Sequence, residues 1–122
     1  MNKQDFIKGI KKMRDFCAQA NIENYQDPPG RRPRDKDLAL SKFYCSLSEE
    51  GKDFVNQIVF DSIDQAFFSF FCVLDHVGFI EDTEEKSEFE LYAIKNGERV
   101  LINDPQQEEL HNLYNDLTLD KD

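Results

Sequence analysis

The chain has no tryptophan, only five glycines among 122 residues, and three cysteines with no C-x-x-C pair. Each shortage removes a class of chemistry. So few glycines leave no Gly-rich phosphate cradle, and no G-x-S-x-G nucleophile motif is present. Cys17, Cys45 and Cys72 are odd in number and widely spaced, which predicts free thiols packed as small apolar side chains in a reducing compartment. His76 and His111 are far apart and form no H-x-x-x-H, so neither they nor the cysteines show a zinc spacing. The longest uncharged apolar run, Gln65 to Leu74, is bounded by Asp64 and Asp75 and reaches about half of the ~20 residues of a bilayer span. No apolar region follows Met1-Asn2-Lys3, so no signal peptide is expected. These absences predict a soluble cytoplasmic protein.

Basic residues are also scarce, and they are unevenly placed. Residues 1–36 hold nine Lys or Arg against five Asp or Glu; residues 37–122 hold six against twenty. The local balances, +4 and −14, make up the net charge of −10. Binding to a phosphate backbone or an anionic membrane needs clustered Lys and Arg, so neither nucleic acid nor membrane is an expected partner. A strong negative field instead favours a protein with a basic surface.

The pattern along the chain predicts an α+β fold: three or four helices packed with a two-stranded antiparallel hairpin in a single domain over 1–122. Asn2 caps a helix over roughly 3–20, with Phe6, Ile10, Met13, Cys17 and Ala20 on its apolar face. Residues 21–35, with Pro28-Pro29-Gly30 and then Arg31-Arg32-Pro33-Arg34, read as a Pro/Arg-rich loop on the domain surface or an arm for an acidic partner. A short helix around Leu38 to Leu47 follows. Ser46 or Ser48 then caps a long helix whose stripe runs from Phe54 to Leu74; a bend or a break is expected near Asp61-Ser62, and Gly78 is the expected stop.

Asn96-Gly97 between two strand-like runs predicts a hairpin in which Ala93 faces Val100 and Leu91 faces Ile102. Tyr92, Ile94 and Leu101 fall on its reverse face, which a further helix or a second copy of the chain would cover. Asp104-Pro105 reads as the start of a last helix, with Leu110, Leu113, Tyr114 and Leu117 buried, and 118–122 as a frayed tail.

Candidate chemistry is thin, and we expect no enzyme, cofactor or metal. Asp61 and Asp64 are three apart on a helix but lack a Glu-x-x-His companion, so they read as solvated charges. Cys72 and His76 are four apart and, with Asp75, would be the members of any hydrolytic site. Cys72, however, sits in apolar surroundings that raise a thiol pKa and leave it inert. His76, at a helix end, is placed to meet the dipole or a carbonyl. The acidic run Glu81, Asp82, Glu84, Glu85 and Glu88 stands out because no helix start accounts for it and it lacks the D-x-D-x-D-G calcium spacing. It reads either as a solvated loop or as the partner-binding surface.

The run Phe70-Phe71-Cys72-Val73-Leu74-Asp75-His76-Val77, with Phe89-Glu90-Leu91-Tyr92, Leu101-Ile102-Asn103-Asp104-Pro105 and Leu110-His111, resembles blocks in small uncharacterised bacterial proteins. That likeness covers about the last two-thirds of the chain and brings no active site with it. In size and acidity the chain is also similar to immunity proteins that neutralise toxins delivered between bacteria. This second resemblance implies a cytoplasmic inhibitor that sets an acidic face on a basic, nuclease-like toxin. The alternative is a self-associating housekeeping or stress-related module that pairs through the hairpin face bearing Tyr92 and Leu101.

Overall fold

Asn2 opens the first helix as its sequence predicts, its side-chain oxygen accepting the Asp5 amide at 2.8 Å. In the computed structural model, which describes residues 1–119, this helix is α1, Lys3–Gln26. It is followed by α2 (Asp35–Ser46), α3 (Glu49–Leu74), β1 (Tyr92–Lys95), β2 (Glu98–Leu101) and α4 (Leu110–Leu119). Four helices and one two-stranded antiparallel sheet make up the regular structure of the described residues, in agreement with the α+β expectation. The chain groups into two compact units, one of Met13–Ile63 and one of Met1–Lys12 with Asp64–Asp122.

In the unit Met13–Ile63, α1 extends one and a half turns beyond its expected end, because Ile22 is buried and Tyr25 packs on Tyr44 with ring centroids 5.9 Å apart. Asp27-Pro28 stops it, since proline disfavours helical backbone in the residue before it. The buried line of α1 here is Arg14, Ala18 and Ile22, not Met13 and Cys17, which are exposed. An apolar count misses this face because the Arg14 guanidinium lies over the Phe60 ring at 5.2 Å and bonds Asp15 at 2.6 Å. Only residues 27–34 of the Pro/Arg-rich stretch are non-helical. Pro29 and Arg34 line a small cavity with Tyr25 and Leu40, and Arg34 pairs with Asp37 at 3.0 Å.

Of the two candidate caps for α3, Ser48 serves, accepting the Gly51 amide at 3.1 Å; the Ser46 hydroxyl bonds back to the Phe43 carbonyl. Buried Tyr44 of α2 donates to Asn56 at 2.8 Å. The helix continues through Asp61-Ser62 without the break that was one of the two expectations there.

The unit of Met1–Lys12 and Asp64–Asp122 holds the main core. Ile7, Phe71, Leu74, Ile102, Leu110 and Tyr114 are fully or nearly fully buried, and Phe6, Phe67 and Phe68 pack around them. Tyr114 turns its hydroxyl to Asp64 at 2.6 Å, so Asp64 is not the purely solvated charge the sequence suggested. The hairpin has the predicted register, Ala93 opposite Val100, and the Ile102 amide continues it to the Leu91 carbonyl at 2.8 Å. Asn96 and Gly97 both have positive φ, 53° and 81°, as a two-residue turn matched to strand twist requires. On the reverse face, Arg99 covers the Tyr92 ring at 4.2 Å, while Ile94 is exposed.

Three junctions differ from expectation. Helix α3 ends at Leu74, four residues before Gly78. His76 takes the left-handed conformation, φ 62°, and the amides of Val77 and Gly78 both reach the Cys72 carbonyl at 2.9 Å. At Gly78 a Cβ would lie 3.2 Å from that of Cys72, a tight contact that leaves little room for a side chain. At the last helix, Asp104 does not act as a cap. It forms a local turn with Gln106 and Gln107, and α4 begins at Leu110. Finally, α4 includes Thr118 and Leu119, and residues 120–122 of the expected tail lie outside the described residues.

Asn103 ties these junctions together. It is 4% exposed, its amide nitrogen donates to the Leu74 and Phe89 carbonyls at 2.7 Å each, and its oxygen accepts the Leu91 amide at 2.8 Å. Asn103→Ala orphans three backbone groups. We expect it to cost about 3 kcal/mol in urea unfolding, with Asn103→Asp only partly relieving the loss.

Candidate partner-binding surface

The acidic run lies on the segment between α3 and β1, and both of its ends are fixed. At one end, Val77 and Gly78 are held to Cys72; at the other, the Phe89 amide donates to His76 Nε2 at 2.9 Å. His76 therefore acts as an acceptor for a backbone amide through Nε2, not as a donor to a carbonyl from that nitrogen.

Between those ends the loop is closed on itself. Glu81 takes the Ser87 amide on Oε1 at 2.6 Å and the Ser87 hydroxyl on Oε2 at 2.9 Å. Lys86 Nζ donates to the Glu81 carbonyl at 2.6 Å and lies over the Phe79 ring at 5.6 Å. The Thr83 hydroxyl bonds the Glu85 carbonyl at 2.6 Å. Glu81 is thus a structural member of the loop, and the bonds from the Ser87 amide and hydroxyl hold its carboxyl below the ordinary 4.5. Asp82, Glu84, Glu85 and Glu88 are exposed, and no ion pair among the described residues engages them. The loop therefore presents four free carboxylates on a backbone that hydrogen-bonds to its own side chains at Glu81, Thr83, Lys86 and Ser87.

The grouping into units redistributes the charge. Met13–Ile63 contains seven basic and nine acidic residues, a balance of −2; the other unit contains eight and sixteen, a balance of −8. The basic first turns of α1 belong to the acidic unit, while the arginine segment belongs to the nearly neutral one.

A second polar feature of the acidic unit is a cavity of about 380 Å³ lined by Asp75, His76, Asn103, Asp104, Glu108 and Glu109, among others. Cys72 is not among its lining residues. Asp75 is 5% exposed at its side chain. Its Oδ1 accepts the Leu110 amide at 3.1 Å, and its Oδ2 accepts the His111 amide at 2.9 Å and His111 Nδ1 at 2.6 Å. It is the cap of α4, supplied from the far end of α3, worth roughly 1–2 kcal/mol by position at a helix N-terminus. Nothing local in the sequence signals such a cap.

Ligand atoms of Asp75, Glu109 and His111 lie within 4.8 Å of one another. Both Asp75 oxygens are already engaged, however, and the positive end of α4 opposes a cation there. Lys3 adds to that opposition: it is 2% exposed and donates to the Asp104 and Glu108 carbonyls at 3.1 and 2.6 Å. Burial pushes its pKa down, and Asp75, Asp104, Glu108 and Glu109 push it back up. The geometry is that of a helix cap.

The cysteines are free, but only Cys72 is even half-buried; Cys17 and Cys45 are exposed, against the expectation of burial. Burial, with the charges of Asp75 and Glu109, pushes the Cys72 thiol pKa up.

Comparison with protein-family models, with curated proteins and with solved structures finds no match.

Two measurements check these assignments. A thiol reagent at neutral pH should label Cys17 and Cys45 quickly and Cys72 at least about tenfold more slowly in the folded protein. Glu81 binds its proton less readily folded than unfolded, so its contribution is whole above pH 4.5 and is lost as the pH falls through the lowered value. The Ser87 amide resonance should accordingly titrate with a midpoint below 4.5 and cease to do so in Glu81→Gln.

Proposed function

We propose that this chain is a non-catalytic cytosolic binding protein whose acidic loop docks on a basic protein partner, as an immunity-type inhibitor of a nuclease-like toxin. The observation that carries the reading is the pre-ordered loop with four free carboxylates, Asp82, Glu84, Glu85 and Glu88, on a unit of charge −8. A nuclease cleft must attract phosphate and is therefore basic, so an acidic surface can occupy it. A loop ordered before binding loses little entropy on docking, and opposite fields speed the encounter.

The reading needs α3 in water and not in a bilayer. By length and composition α3 could cross a membrane. Asp61 and Asp64 lie at its middle, where each acidic side chain costs about 2.5–3.5 kcal/mol in a bilayer. Self-association through the hairpin's reverse face has less support, because Arg99 already covers Tyr92.

The test is association with the product of a neighbouring toxin gene, followed by stopped flow at several salt concentrations. Replacing Asp82, Glu84, Glu85 and Glu88 by their amides should slow association by more than about tenfold at low salt and little at high salt. A salt-indifferent rate, or one unchanged by the four substitutions, would sink the reading.

A further inference from the structure

The acidic loop is held at its far end by an acceptor that a proton can remove. The Phe89 amide donates to His76 Nε2 at 2.9 Å, and that nitrogen accepts only while its lone pair is free. A protonated imidazole is a donor at both nitrogens, so it would set one N–H against another. Histidine is also the side chain whose charge ordinarily changes between about pH 5 and 8. The amide and the proton therefore compete for one atom.

The surroundings give the charged ring somewhere to go. His76 lines the cavity of about 380 Å³ together with Asp75, Asp104, Glu108 and Glu109. Asp75 is taken up by the start of α4 and by His111, and Asp104 accepts the Gln106 amide at 3.0 Å. Glu109 meets Asn112 at 3.3 Å and lies 4.0 Å from His111. From α1, Lys3 binds the carbonyls of Asp104 and Glu108 and leaves their carboxylates to others. Glu108 is exposed, and no hydrogen bond or ion pair among the described residues engages its carboxylate. On the loop side, Glu88 precedes Phe89 and is exposed. An imidazolium turned from Phe89 into the cavity thus meets free negative charge.

The loss on the other side is local. The Phe89 carbonyl is held separately by Asn103 at 2.7 Å, and the Phe89 side chain packs against the main core. The closure of the loop by Glu81 and Ser87 does not involve His76, and the Glu81 carboxyl stays ionised down to below 4.5.

We infer that His76 is a pH-sensitive latch on the acidic loop: neutral, it holds the Phe89 amide; charged, it releases that amide and turns to the carboxylates of the cavity. The bond is whole on the alkaline side of the His76 titration and is lost as the pH falls through it. The latch concerns the order of residues 77–88 and is independent of what the loop binds, so it and the partner-binding reading can fail separately.

Nuclear magnetic resonance of the whole chain from about pH 8 to 5 tests the latch by following the His76 ring with the Phe89 and Leu91 amides. The Phe89 amide shift should titrate with the midpoint of the His76 ring. Its protection against hydrogen exchange, corrected for the intrinsic rate, should fall at least about tenfold, while Leu91, bonded to Asn103, keeps its own. His76→Gln places a non-titrating acceptor at similar reach, so Phe89 should stay protected at both ends of the range. His76→Asn suits the left-handed backbone at φ 62° but is too short, so protection should be low throughout; Leu91 reports in both variants that the fold is kept. Glu108→Gln should move the His76 midpoint to lower pH, since it removes a charge that favours the imidazolium. A Phe89 amide that ignores the His76 midpoint, follows His111 instead or still titrates in His76→Gln would overturn the proposal, as would a His76 midpoint unmoved in Glu108→Gln.

Discussion

The end of α3 must satisfy the backbone of three other segments, and the rest of the acidic unit is arranged around that requirement. A helix terminus leaves carbonyls without partners, the short hairpin leaves edge groups beside it, and the start of α4 leaves amides. Asp75, His76 and Asn103 meet all three demands within a few ångströms: Asp75 takes the amides of α4, His76 takes the amide of Phe89, and Asn103 binds the carbonyls of Leu74 and Phe89 and the amide of Leu91. No buried side-chain polar atom among the described residues is left without a partner. Asp75 and His76, which the sequence singles out, both take part in this arrangement. The same bonds fix both ends of the acidic loop, which connects the unit's architecture to the proposed binding surface.

The exposed surface divides along chemical lines. The acidic unit carries the free carboxylates and the polar cavity, while the nearly neutral unit carries exposed arginines and an uncovered apolar groove. A field extends over several ångströms and sets how fast a partner arrives; apolar contact acts only at touching distance and sets how long it stays.

Local signals were legible and distant ones were not. Asn2 as a cap, the Asn96-Gly97 turn with its register, and the buried stripe of α4 all depend on neighbours within a few residues, and each is where the sequence placed it. The start of α4 was misread because Asp104-Pro105 carries a helix-start signal, while the cap that determines the start comes from Asp75. The middle of α1 was misread because buried Arg14 is held by Phe60, a partner on another helix, and a count of apolar residues cannot include it. The acidic loop was legible as a cluster, but the division of labour within it was not. Glu81 looks like its neighbours until Ser87 folds back on it.

By itself the sequence determined the α+β class, the helical stripes, the hairpin and its register, and the excess of negative charge, because periodicity, turn chemistry and composition are properties of short windows. Only the tertiary structure decided which ionisable groups are free and which are structural. Whether Asp75 is a solvated charge or a cap, or Glu84 a spare charge or a bonded one, depends on donors that the fold brings from tens of residues away. That pairing also turned a charge asymmetry between the two ends of the sequence into one between two folded units, since the first turns of α1 join the acidic unit and the arginine segment does not.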